Sequence, residues 1–238
     1  MTGDQGTDNL PARLASGYRN FLSGRFESEQ GRYRELAESG QSPKIMLIGC
    51  CDSRVAPEVI FDATPGEIFV VRNVANLVPP YGPDGDYHGT SAALEFAVMG
   101  LRVEHIVVMG HAKCGGVRAY AENEADPYSQ PLSPGDFIGK WVKLLQPAWE
   151  RAGEPVGQGE PVPEEFVERM ALEAVKQSLN NLRTFPCVKT LEERGRLHLH
   201  GAYFGVMDGR LLALDAASGQ FQPVAGDLRE QVLAQPRF

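Results

Sequence analysis

Apolar positions follow two rhythms along the chain. Up to about Ser42 they recur at helical spacing, with Leu14, Tyr18 and Phe21 on one stripe and Tyr33, Leu36 and Ala37 on a second that ends at Gly40, which predicts two amphipathic helices. From Lys44 the rhythm changes to short unbroken apolar runs. Ile45 to Gly49, Glu67 to Val71 and His105 to Met109 are too short for helices and suit strands buried on both faces. Helical stretches are expected near Ser91 to Leu101, Phe137 to Arg151 and Glu164 to Leu182, the last with Leu172, Val175, Leu179 and Leu182 in register. A fourth run, Leu197 to Val206, meets Leu211 to Leu214 across Asp208-Gly209 and reads as an antiparallel edge hairpin. Strands that alternate with helices predict an α/β fold with a mainly parallel central sheet. A single domain is expected, with residues 1–42 as an N-terminal helical arm and 43–238 as the α/β core. Glu122 to Asp136 and Gly153 to Pro163, rich in Pro, Gly and acids, read as surface loops.

Composition narrows the classes. With 42% hydrophobic and 23% charged residues among 238, the chain is an ordinary globular protein rather than a collagen, coiled coil or disordered tract. Its net charge of −8 provides no basic field for a phosphate backbone, so nucleic acid is excluded as a partner. No apolar run approaches the roughly 18–20 residues that span a bilayer, and the first twenty residues contain no apolar signal core. A cytoplasmic protein without a membrane partner is expected. Four cysteines, Cys50, Cys51, Cys114 and Cys187, are too few for a disulfide scaffold and read as thiols or metal ligands.

Metal-competent residues stand where two predicted strands end. Cys50-Cys51-Asp52-Ser53-Arg54 follows the first and His111-Ala-Lys-Cys114-Gly115-Gly116 the third, and ligand crevices of open α/β sheets lie at such carboxyl ends. Cys and His suit zinc, and a Cys2His set of Cys50, His111 and Cys114 leaves the fourth tetrahedral position open, as in catalytic sites. Two thiolates cancel the charge of the ion, so its water is acidified less than at a tris-histidine site. Asp52 can accept a hydrogen bond from that water, and Arg54 can hold Asp52 off the metal. Taken alone, each of these has a bland reading: Cys50 as a core residue, Asp52 and Arg54 as a plain ion pair, and His88, His105, His198 and His200 as packing or hydrogen-bonding groups. Cys51 and Cys187 are expected to be inert thiols, with Cys51 pointing away from the Cys50 side. The Gly110 to Gly115 turn lacks the Lys-Ser/Thr pair of a phosphate loop.

These two motifs, together with Gly66-Glu-Ile-Phe-Val-Val-Arg-Asn-Val-Ala-Asn76 and Tyr87-His-Gly-Thr90, resemble the β-class carbonic anhydrases, lyases that interconvert carbon dioxide and bicarbonate. The resemblance implies one zinc per chain on Cys50, His111 and Cys114, Asp52 and Arg54 as the catalytic pair, and carbon dioxide hydration by zinc-bound hydroxide. It further implies a substrate pocket of Gln41, Phe69, Val74, Tyr87 and the Gly115 backbone, and a homodimer or tetramer in which Gln41, Phe69 and Tyr87 can come from the partner. Cys51 departs from the serine usual in the family. One subgroup holds regulatory bicarbonate on a Trp, an Arg and a Tyr. The corresponding positions here are Leu47, Arg72 and, by alignment, Leu179, so the open, plant-type subgroup is expected. Two alternatives share the zinc site: hydrolysis of carbon disulfide or carbonyl sulfide, and a noncatalytic zinc module closed by Asp52.

Overall fold

The computed structural model describes residues 10–85, 88–126, 128, 136–153 and 161–224. The chain divides into two compact units, residues 1–41 and 42–238.

The first unit is a helical pair, α1 (Ala12–Ser23) and α2 (Arg25–Ser39), which together place the two predicted helices. Gly24 breaks the run between them, and Gly40 ends it with a φ of 80°, a conformation glycine adopts without a Cβ penalty. Inside the pair Phe21, Phe26 and Tyr33 form an aromatic triangle with ring centroids 5.4 to 6.1 Å apart. Leu10, Leu14, Tyr18 and Leu22, four residues apart, remain 40 to 59% exposed.

The second unit carries one six-stranded sheet in the order β2-β1-β3-β4-β5-β6. Its strands are β1 (Ile45–Cys50), β2 (Ile68–Asn73), β3 (His105–His111), β4 (His198–Phe204), β5 (Leu211–Leu214) and β6 (Phe221–Pro223). The first four are mutually parallel, and β5 and β6 are added antiparallel. The α/β architecture, the parallel core and the edge hairpin are those expected from the hydrophobic runs. The sequence reading lacked β6, whose three residues offer no apolar run.

Helices α3 (Pro57–Ile60), α4 (Gly89–Glu95), α5 (Gly115–Ala125), α6 (Asp136–Val142), α7 (Gln146–Ala152), α8 (Glu164–Leu182) and α9 (Pro186–Glu193) connect or cover the strands. The helix expected near Ser91 to Leu101 is α4 continued by one π-helical stretch, Phe96–Leu101. Phe137 to Arg151 is two helices joined by a 3₁₀ turn at Lys143–Leu145. Pro57 and Pro186 stand in the first turns of α3 and α9, where the missing N–H costs nothing. Glu164 and Glu165 place negative charge at the start of α8, complementing its dipole. That helix lies behind β3 and β4 and buries Val175, Leu179 and Leu182 with Met46, Ile48, Ile106 and Val108. Alternation along the strands sends Leu47, Met109 and Ala202 into a separate cluster on the opposite face. Among the described residues, no helix is long and apolar enough to cross a membrane.

Candidate metal centre and active site

Adjacent parallel strands β1 and β3 run in register from Ile45 opposite His105 to Gly49 opposite Met109, so their carboxyl ends finish side by side. Cys50 closes β1, His111 closes β3, and Cys114 is the cap residue before α5. Lys113, between the two later ligands, adopts a left-handed φ of 60°. That turn brings His111 and Cys114 back onto one point, at about 1–2 kcal/mol of backbone strain. Ala75 and Asn76, after β2, are left-handed as well, at φ 63° and 49°. Strain of this kind persists where surrounding contacts overdetermine it. Here Asn73 supplies them, donating to the Leu77 carbonyl and accepting from the Leu77 N–H, each at 2.8 Å.

The donor atoms of Cys50, His111 and Cys114 all lie within 4.8 Å of one another, and all three residues are buried. Three observations test whether this set fits zinc. The Cys50 and Cys114 sulfurs are 3.9 Å apart, against about 3.8 Å for two sulfurs at 2.3 Å from a tetrahedral ion. His111 Nδ1 donates to the Ala112 carbonyl at 2.9 Å, because a carbonyl can only accept, and this leaves Nε2 with its lone pair free. That Nε2 is buried without a hydrogen-bond partner among the described residues, an arrangement that costs about 1–3 kcal/mol unless something binds there. The residues fit the ion.

A hydrogen bond couples the two thiols. A hydrogen bond from Cys114 lowers the Cys50 thiol, helped by His111 and by backbone groups of Asp52 and Ala75 against the opposing effect of burial. The same bond, with burial and the neighbouring charge, raises Cys114. The pair therefore favours ionisation at Cys50 over Cys114.

Beside the ligands, Arg54 grips Asp52 with both forks: Nε donates to Oδ1 at 2.9 Å and Nη2 to Oδ2 at 2.7 Å. The Arg54 backbone N–H donates to Oδ1 at 3.0 Å, and Nη2 also reaches the Lys113 carbonyl at 3.0 Å. The side-chain bond from Arg54 holds the Asp52 carboxyl well below the usual carboxylate range. Arg72 was not assigned a role at this centre from sequence, yet it ties the ligand loop down. Its Nε donates to the Cys50 carbonyl at 2.8 Å and its Nη2 to the Asp52 carbonyl at 2.6 Å. A strand residue one position before the β2 terminus gives no periodic signal of that task.

The expected pocket residues fall in several places. Val74 stands next to the Gly115-Gly116 turn, so close that a Cβ on Gly116 would lie 2.8 Å from Val74 Cγ1. Gly115 begins α5 directly after Cys114. Phe69 packs against Phe96, with ring centroids 6.0 Å apart. Gln41 is the last residue of the first unit, and Tyr87 lies outside the described residues. Cys51 is exposed and Cys187 partly buried, both free. Leu47 and Leu179 belong to clusters on opposite sheet faces.

Comparison with known proteins agrees with this geometry. The family model described as Carbonic anhydrase matches residues 45–211. A carbonic anhydrase of Pseudomonas aeruginosa is 35% identical over 212 residues, covering 89% of this chain and 91% of its own. The solved structure of the beta-carbonic anhydrase CcaA superposes with a TM-score of 0.78 at 31% identity, over 90% of this chain and 92% of that one. A structure of tetrameric beta-carbonic anhydrases from Sordaria macrospora gives 0.65 at 27% identity, over 90% and 96%. A Cys-His-Cys centre formed where two parallel strands end thus accompanies similarity along nearly the whole chain, and the protein belongs to the β-class carbonic anhydrases, zinc-dependent enzymes of carbon dioxide hydration.

Proposed function

We propose that Cys50, His111 and Cys114 hold the catalytic zinc while Asp52 and Arg54 act as a fixed acceptor pair beside it, in the open arrangement expected of the plant-type subgroup. Bound zinc supplies Lewis acidity that lets water act as a nucleophile near neutral pH. The bidentate hold of Arg54 on Asp52 carries the reading. It engages both carboxylate oxygens, so Asp52 remains ionised and serves as a hydrogen-bond acceptor that orients water rather than as a store for its proton. The Arg54 side chain is 47% exposed, so the pair borders solvent, into which the proton is released. Val74, partly exposed, packs at Gly116 just after Cys114 and offers apolar surface suited to a nonpolar gas. Gln41, Phe69 and Tyr87, expected at the family's substrate pocket, are proposed to reach it from a neighbouring subunit.

The reading extends to a homodimer or a pair of dimers. Leu10, Leu14, Tyr18 and Leu22 present an exposed apolar stripe suited to a neighbouring subunit, and the Sordaria macrospora relatives are tetrameric. The free thiols of Cys51 and Cys187 support a reducing, cytoplasmic setting.

Stopped-flow carbon dioxide hydration on metal-analysed protein tests the assignment. Asp52→Asn should keep one zinc per chain and lose most of the turnover, whereas Cys50→Ser, His111→Ala or Cys114→Ser should lose both. Cys51→Ser should retain both. Full turnover in Asp52→Asn would remove Asp52 from the mechanism, and zinc lost from Cys51→Ser but kept by Cys50→Ser would shift the ligand register.

A further inference from the structure

The opposite end of the sheet carries a second cleft. It opens at the amino ends of β1, β3 and β4, where the Lys44 carbonyl accepts from the Glu104 and His105 N–H groups and the His198 N–H donates to the Glu104 carbonyl. The π-helical stretch after α4 and the turn between α9 and β4 form its walls, enclosing about 730 Å³. Six polar side chains line it: Lys44, Arg102, Glu104, His105, Arg196 and His198. Lys44 and Glu104 neutralise each other through a 2.7 Å ion pair. Arg102 and Arg196 have no acid or hydrogen-bonding side-chain partner among the described residues, so two unopposed guanidinium groups face one cavity in a protein whose net charge is −8. In a chain with 31 acids and 23 bases, that local excess is against the average composition.

The backbone at Arg102 points the same way. It is left-handed, φ 58° and ψ 48°, at the position that ends the π-helical stretch. Glycine fits such a helix terminus without strain, and another residue costs about 1–2 kcal/mol. An arginine there keeps a guanidinium at the cleft despite that strain. His105 and His198 add imidazole nitrogens, their rings stacked with centroids 5.3 Å apart. His105 Nδ1 is occupied by His200 Nε2 at 3.1 Å, which leaves Nε2 of His105 for another partner.

We propose that this cleft is a second ligand site, distinct from the metal centre, for a compact anion of two or more charges bearing phosphoryl or carboxylate groups. Arg102 and Arg196 supply the forked donors that match such oxygens bidentately, and the stacked imidazoles stand at the strand ends. The site is remote from the chemistry. Six residue steps along β3 separate His105 from His111, about 20 Å at the rise of a strand, so an anion here contacts no metal ligand. An occupant would link the unpaired cations to the first residues of three strands and stabilise the folded state by mass action.

Isothermal titration and thermal denaturation of the zinc-loaded full-length enzyme test this, with inorganic pyrophosphate and citrate as probes and sodium chloride at matched ionic strength as the control. One saturable site per chain is expected, with a melting temperature that rises as it fills. Arg196→Gln and Arg102→Gly should each weaken binding at least tenfold while leaving carbon dioxide hydration without the probe unchanged. Arg102→Gly also relieves the left-handed strain, so it should fold at least as stably as the parent, and its lost binding would not reflect misfolding. Preference for pyrophosphate identifies a phosphoryl ligand and preference for citrate a carboxylate one. Absence of saturable binding by both probes, equal effects of chloride, or undiminished binding in the Arg102→Gly/Arg196→Gln double variant would overturn the site.

Discussion

Gly110 precedes the ligand His111 on β3, and its replacement by alanine tests how tightly the strand is pinned against α8. A Cβ at this position would lie 2.7 Å from Val175 Cγ2, 3.4 Å from Tyr203 Cδ2 and 3.7 Å from Asn76 Nδ2. Carbon atoms pack best at about 3.5–4.0 Å, so the first contact must open by close to an ångström. Val175 is fully buried in the middle of α8, and its branched side chain has essentially one helical rotamer. Tyr203 closes the other side. Overpacking of a core costs about 1–3 kcal/mol, which for a domain of this size lowers the melting temperature by about 2–4 °C per kcal/mol. Gly110→Ala should therefore melt about 2–12 °C below the parent, measured on the zinc-loaded protein. Val175→Ala alone leaves a cavity and costs about 2 kcal/mol, but it removes the methyl that the new Cβ strikes. The double variant should be more stable than the sum of the singles by about 1–2 kcal/mol, as expected of residues in contact. Strict additivity, or a Gly110→Ala protein melting within a degree of the parent, would refute the claimed contact.

Three further outcomes follow from the same geometry. Arg72→Met removes two charge-assisted hydrogen bonds to the ligand loop, each worth about 1.5–3 kcal/mol, so zinc should pass to a competing chelator at least tenfold faster; Arg72→Lys, able to satisfy one carbonyl, should fall between, and an unchanged rate in Arg72→Met would deny it the positioning role. Because Cys50 is already lowered and Cys114 raised in the metal-free centre, zinc loading near pH 7 should release about one proton rather than two; calorimetry in buffers of different ionisation enthalpy counts them. Partial desolvation and the neighbouring His105 and His198 lower His200 below its ordinary 6.5, so the folded chain binds fewer protons than the unfolded chain there and stability is lost as pH falls below about 6.5. The drop in melting temperature between pH 7 and pH 5 should accordingly be shallower in His200→Gln, and an identical slope would contradict it.

Much of this protein was legible in one dimension because the relevant forces are local or periodic. Strands buried on both faces must be apolar throughout, so β1 and β3 announce themselves as Ile45 to Gly49 and His105 to Met109. The ligands Cys50, His111 and Cys114 are chemically unusual residues placed directly after those runs, and a strand end is defined by the run itself. Asp52 and Arg54 lie two residues apart, close enough for their pairing to be read from spacing. Tertiary structure decided what depends on neighbours distant in sequence. Arg72 is an ordinary strand arginine until β2 pairs with β1 and puts the Cys50 and Asp52 carbonyls within reach of its two donors. The left-handed turn at Lys113 has no glycine to mark it, since the contacts that impose it come from elsewhere in the fold. Leu47 and Leu179 separate onto opposite sheet faces because side chains alternate along β1 while α8 covers only one face. Lys44, Arg102, Glu104, His105, Arg196 and His198 are scattered across 155 positions and become one cleft only when parallel strands start side by side, because charge carries no periodicity by which a sequence could gather it.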